Sequence, residues 1–219
     1  MKVISVYNGS MKPERSQFTR TELKIIDQYR TPYQVQRYLK TLSYNHDHTI
    51  WSFREVVKRK TAHCLEGALT AAAILEQHGY PPLLMSLESV DNLDHVLFVF
   101  RASTGWGAVG RSRDTGLHGR RPVFRSARDL ALSYFDPYVD NSGRITAYGV
   151  VDLNDLSRCN WRFSESKLTR VENYLIECDH TDIVSSERRY QRLLKRFKEF
   201  KAKYPNRQVT YFDNKDTWM

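Results

Sequence analysis

A chain of 219 residues with 41% hydrophobic content carries enough apolar side chains to fill the core of one sizeable domain. It holds no apolar run of about 18 residues and no basic start leading into an apolar stretch, so a soluble, cytoplasmic protein without a membrane span or secretory signal is expected. Three cysteines, Cys64, Cys159 and Cys178, exclude a disulfide framework and a Cys-x-x-Cys zinc site, and the net charge of +9 asks for an anionic partner or a solvated basic face.

In chain order, Val3-Ile4-Ser5-Val6-Tyr7 reads as a short strand, and helices are predicted from Thr21 to Tyr29 and from Pro32 to Leu42. The second has Thr31 as N-cap, Pro32 in its first turn, and Val35, Tyr38, Leu39 and Leu42 on one face. His46-Asp47-His48 is a polar triplet whose two histidines lack a further ligand cluster, so no metal is predicted there, and no cofactor anywhere. Strong helix formers then run from Glu66 to Gln77 until Gly79 and Pro81-Pro82 stop them, which with Thr61 or His63 at the N-cap places Cys64 in a first helical turn. His63, one residue earlier, is expected to be exposed and to point away from the thiol, because neighbours on a helix diverge.

Leu83 to Val90 and Val96 to Phe100 predict two antiparallel strands joined by a turn at Asp91 and Asn92, with His95 opening the second. A third strand follows at Gly105 to Val109. Ser126 to Tyr138 suggests a helix with Ala127, Leu130, Ala131, Tyr134 and Phe135 on one face before a turn at Asp136-Pro137, and Asn141-Ser142-Gly143 turns the chain into a strand from Arg144 to Leu153 that contains Asp152. Trp161-Arg162-Phe163 is read as core filling. The last helix, Ser186 to Tyr204, sets Tyr190, Leu193, Leu194, Phe197 and Phe200 in an apolar stripe among eight cations, and is expected to dock on the core with its basic face outward. No repeat or linker divides the chain, so residues 1–219 are read as a single α+β domain.

A thiol at a helix N-terminus meets unpaired N–H groups and the positive end of the helix dipole, both of which favour a thiolate and can stabilise an oxyanion. A histidine on a neighbouring strand supplies the base that nucleophilic catalysis by a thiol requires. Tyr44, Trp51-Ser52-Phe53-Arg54-Glu55-Val56-Val57, the Cys64 helix ending in Gly79-Tyr80, Asp94-His95-Val96 and Gly105-Trp106 stand in the order found in the transglutaminase-like superfamily. The resemblance covers roughly Tyr33 to Arg113.

That resemblance implies a papain-like core over residues 33–155, with the nucleophile helix packed on an antiparallel sheet and residues 156–219 as a C-terminal helical extension. It further implies Cys64 as nucleophile and His95 as base. The family's triad carboxylate would stand at Gly110, which has no side chain, so Asp114, Asp152, Asp94, Ser112 or a backbone carbonyl must orient the ring instead; Asp94 is disfavoured because it points to the opposite face of its strand. Cys64-Leu65-Glu66 is also similar to the Cys-x-Glu of arylamine N-acetyltransferases, but Lys60, Thr61, Ala62 and His63 replace the arginine and glycines that precede it there.

Trp106, Arg111, Ser112 and Arg113 are assigned to substrate binding. Together with Arg101, Arg120, Arg121, Arg125 and Arg128 they suggest a basic rim that would attract an anionic protein or peptide substrate, or nucleic acid. The expected function is cysteine-dependent hydrolysis or transfer at a peptide, amide or thioester bond. The alternative is a degenerate binding module with a basic surface.

Overall fold

A computed structural model describes residues 12–90, 95–140 and 143–219. The readings at Val3–Tyr7, Asp91, Asn92, Asp94, Asn141 and Ser142 lie outside the described residues. Helices α1 (Arg20–Gln28) and α2 (Pro32–Thr41) each begin at a reciprocal capping box, Thr19 with Glu22 and Thr31 with Gln34. Strand β1 (Ser43–Tyr44) pairs in parallel with β2 (Thr61–Ala62), and between them α3 (Phe53–Arg59) starts at a Ser52 cap and ends at Lys60 with a φ of 58°. The β2 strand leads straight into α4 (Cys64–Glu76), in which every residue from Leu65 to Glu76 is buried. A helix apolar all round can be stable only inside a core.

The remaining elements are β3 (Leu83–Ser89), β4 (His95–Ala102), β5 (Gly105–Val109), a 3-10 turn at Thr115–Leu117, β6 (Arg120–Phe124), α5 (Ala127–Leu132), α6 (Phe135–Tyr138), β7 (Ile145–Asp152), α7 (Thr169–Glu177), β8 (Thr181–Asp182) and α8 (Glu187–Lys203). The molecule is therefore α+β. Its main sheet has the order β6-β5-β4-β3-β7-β8, and every neighbouring pair is antiparallel.

Alternation along β4 divides the core in two. Val96, Phe98 and Phe100 face α4 in one apolar cluster, whereas Leu97 and Val99 join Leu130, Tyr134, Phe135 and Leu193 in the other. Helix α8 closes that second face through Leu193, with Tyr190 and Leu194 packed alongside, and leaves Arg188, Arg192, Lys195 and Lys198 outward. Trp161 is buried in the first cluster. Among the described residues no helix is long and apolar enough to cross a membrane.

The helix read from Ser126 to Tyr138 is broken into α5 and α6. Pro137 stands where an N–H would bond the Ser133 carbonyl in a continuous helix, and proline has none. That carbonyl accepts instead from Asn214 Nδ2 at 3.0 Å and from Arg120 at 3.4 Å. The break thus ties the C-terminal segment and β6 to this corner of the fold.

Candidate active site

The side chain of Cys64 is half-buried at the first residue of α4, where the first-turn N–H groups have no intrahelical acceptor. The fold brings His95 to it from the start of β4. The His95 Nε2 lies 2.9 Å from the carbonyl oxygen of Leu117, and a carbonyl can only accept, so Nε2 carries the proton and Nδ1 is left to face the sulfur. Burial alone would push the Cys64 thiol up; hydrogen bonds with His63 and His95, and the charges of both rings, outweigh it and hold Cys64 well below the ordinary thiol range. Cys159 and Cys178 are raised by burial. Cys64 alone of the three is set up as a thiolate.

His63 does not behave as its position in the sequence suggests. It is the N-cap, with an extended backbone (φ −92°, ψ −170°), so its side chain does not follow the helical rotation and reaches the Cys64 sulfur. Its Nε2–H donates to the Thr49 carbonyl at 2.6 Å and its backbone N–H donates to Glu66 Oε2 at 3.0 Å. Burial disfavours its charge, but the bond to Cys64, the thiolate, Glu66 and the Thr49 carbonyl together raise His63 to about 9.

Glu66 is fully buried and accepts from Asn45 Nδ2, the Thr49 hydroxyl and the Trp51 N–H as well as from His63. This one carboxylate fastens the 45–51 loop to the start of α4.

The ring of His95 is oriented by a main-chain carbonyl. Gly110 lies close against the Leu97 side chain, so a side chain at this position would have to displace Leu97. The loop that presents the Leu117 carbonyl is held by one distant residue and one near one. Buried Gln36 receives the N–H groups of Gly110 and Gly119 on its Oε1 at 2.9 and 3.0 Å and donates its Nε2 to the Gly110 carbonyl at 2.9 Å. Arg120, also fully buried, donates to the carbonyls of Gly116 and His118 at 2.6 and 3.0 Å. His118, lowered to about 4 chiefly by burial, is neutral in the working range and bonds through Nε2–H to the Ser112 carbonyl at 2.9 Å.

The other anticipated site residues separate into two groups. Ser112, Arg113 and Asp114 line a cleft of about 460 Å³ together with Cys64, His95 and Leu117. Asp152 does not reach the site: it pairs with Leu83 whereas His95 pairs with Leu87, four residues or about 13 Å along β3. Trp106 pairs with Arg101, about 20 Å along β4 from His95, and packs against the second core cluster. Arg111 turns inward, donating to the carbonyls of Ser112 and Leu42 at 2.6 and 3.1 Å. Arg111 and Arg120 are therefore braces of the loops around the site, and the basic rim loses both of them.

A second cleft, of about 510 Å³, opens on the other side of Cys64 and is lined by the 45–50 loop, His63, Val96 and α7 residues. His46, Asp47 and His48 sit in its wall. Among the described lining residues the first cleft has Asp114 and Asp140 against Arg113 and Lys201, and the second has Asp47 and Glu172 against Arg113 and Lys167. Most of the excess positive charge lies on α8, which puts Lys201 into the first cleft and keeps Arg188, Arg192, Lys195 and Lys198 outside both.

Asp114→Asn and Asp152→Asn are each expected to change the alkylation rate of Cys64 by less than about threefold, since a carbonyl and neither carboxylate holds His95. A loss of about a hundredfold in either variant would restore a carboxylate to the triad. Sequence reasoning missed His63, Glu66, Gln36, Arg120 and the Leu117 carbonyl; of these only the Glu66 position, three residues after an N-cap, carries a local signal. Neither a protein-family model nor a curated protein sequence matches this chain.

Proposed function

We propose that the chain is a transglutaminase-like, cysteine-dependent acyl-transfer enzyme in which Cys64 attacks an amide or thioester carbonyl and His95 carries the proton. The observation behind this reading is the Cys64 thiol at the head of α4, bonded to an imidazole whose far nitrogen is fixed by the Leu117 carbonyl. Such an arrangement supplies an activated nucleophile, a base in a defined tautomer, and N–H donors beside the sulfur for an oxyanion. Gly110 removes the triad carboxylate without removing what it does, because Leu117 orients the ring. A degenerate binding module would have no use for a thiolate held between two rings.

The experiment is alkylation by iodoacetamide from pH 5 to 9, read at each cysteine by peptide mass spectrometry. Cys64 is expected to react well below the ordinary thiol midpoint of about 8.5 and at least about tenfold faster at pH 6.5 than Cys159 or Cys178. The sign follows from the lowered value for Cys64 and the raised ones for the others. Equal rates at the three positions would refute the enzyme reading.

A further inference from the structure

Residues 95 and 96 follow one another on β4 and therefore point to opposite faces of the sheet. His95 lines the first cleft, and Val96 with its cross-strand partner Ser86 lines the second. Cys64 stands at the junction and belongs to both. Each cleft thus has its own imidazole against one sulfur: His95 in the first, His63 in the second.

The two rings are held alike. Each commits Nε2–H to a backbone carbonyl, Leu117 for His95 and Thr49 for His63, and turns Nδ1 toward Cys64. Position 63 also caps α4 in a box with Glu66, but Ser, Thr, Asp and Asn are the residues that N-caps favour, so capping alone does not call for a histidine. Nor is the ring loosely placed, since Glu66 fixes its backbone N–H and the Thr49 loop that anchors it. Both clefts fall within the size range of sites for organic ligands, so the second is more than a water channel.

Resting on the acyl-transfer reading above, we propose that His63 is a second catalytic imidazole: it gives its proton to the group that leaves through the second cleft, while His95 takes the proton of the acceptor arriving through the first. In the first half-reaction the thiolate forms a C–S bond, the bond from the acyl carbon to the leaving atom breaks, and that atom takes the proton from His63 Nδ1. In the second, His95, which gives up its Nδ1 proton to solvent once the thiolate is acylated, takes the proton of an acceptor O–H or N–H that attacks the thioester, and the sulfur departs as thiolate. His63 has given one proton to the leaving group and regains one from solvent, so the cycle balances. A His63 raised to about 9 holds the required proton at neutral pH. With separate entry and exit, the acceptor binds while the leaving group departs, which favours transfer to an organic acceptor over hydrolysis.

The test is the dependence of acylation on leaving group. Aryl acetates from p-nitrophenyl to p-methoxyphenyl serve as donors, and phenol release in the first turnover is followed for the parent, His63→Gln and His63→Asn. Asparagine is a favoured N-cap, so the second variant keeps the helix start, and circular dichroism checks both. A parent rate that varies little across the series, with each variant losing about 100-fold more on the p-methoxyphenyl than on the p-nitrophenyl ester, is the expected result. A changed thiolate fraction alters all esters alike and leaves this ratio untouched. The same leaving-group dependence in parent and variants overturns the role of His63 while leaving the acyl-transfer reading intact. Absence of a first-turnover release from p-nitrophenyl acetate in the parent overturns that reading, and the role of His63 with it.

Discussion

Replacing His95 with alanine is expected to lower the turnover of p-nitrophenyl acetate by about 10²- to 10⁴-fold, the range of a positioned general base. Two effects combine. The Cys64 thiolate loses a hydrogen bond and a neighbouring ring that help hold it below the ordinary thiol range, so its alkylation midpoint moves upward toward about 8.5. The deacylation step also loses the group that removes the acceptor's proton, so acyl-enzyme accumulates and is seen by intact-mass spectrometry. The fold is expected to survive, because the substitution removes one bond to the Leu117 carbonyl, worth about 1 kcal/mol, at the first residue of β4. A His95→Ala protein that alkylates and turns over as the parent does would show that the imidazole near the sulfur is a packing residue.

Cys64 and His95 were legible because their signals are local. Breakers fix the far end of α4, and the apolar run of β4 fixes the strand that His95 opens. The orienter of His95 was not legible, since a backbone carbonyl looks the same at every position of a sequence. What selects Leu117 is a loop tied by Gln36, which lies 74 residues before Gly110. The placing of His63 is not legible from helical rotation, because at the N-cap its backbone is extended.

Charge concealed β6: Arg120-Arg121-Pro122 reads as a basic loop, yet an edge strand tolerates the proline, and Arg120 points inward while Arg121 points out. Helix α7 escaped notice since only Val171 and Leu175 are buried, too few for a visible stripe. In each case the missing information was a long-range contact.

Arg120→Leu is expected to destabilise the protein by about 3–5 kcal/mol, a scale set by unpairing buried polar groups. The guanidinium is fully buried, and among the described residues it meets carbonyls, a hydroxyl and rings rather than a carboxylate. It lies 4.0 Å from the Tyr134 ring centroid and 5.2 Å from that of Trp218, on a β6 that also bridges to Trp218. Burial pulls its pKa down, which measures what enclosing the charge costs; the fork of donors to Gly116 and His118 and the two rings offset it.

Leucine removes that cost but takes the guanidinium donor from the Gly116 carbonyl and leaves the His118 carbonyl only the Tyr134 hydroxyl at 3.0 Å, and Arg120→Lys keeps the charge without the fork that spans them. At about 2–4 °C per kcal/mol for a chain of this length, the melting temperature should fall by about 10 °C for Arg120→Leu. The consequence for the site is separable from the loss of stability. Gly116 and His118 flank Leu117, so with Gly116 released and His118 held only by Tyr134 and Ser112 the Leu117 carbonyl is expected to shift away from His95, and the ring to lose its tautomer and aim. Well below the lowered melting temperature, folded Arg120→Leu protein should therefore alkylate Cys64 with a midpoint shifted upward, whereas a variant weakened elsewhere by the same amount, such as Leu75→Ala in the other half of the core, should not. A destabilised Arg120→Leu protein with an unshifted midpoint would mean that Gln36 alone suffices to hold the carbonyl in place.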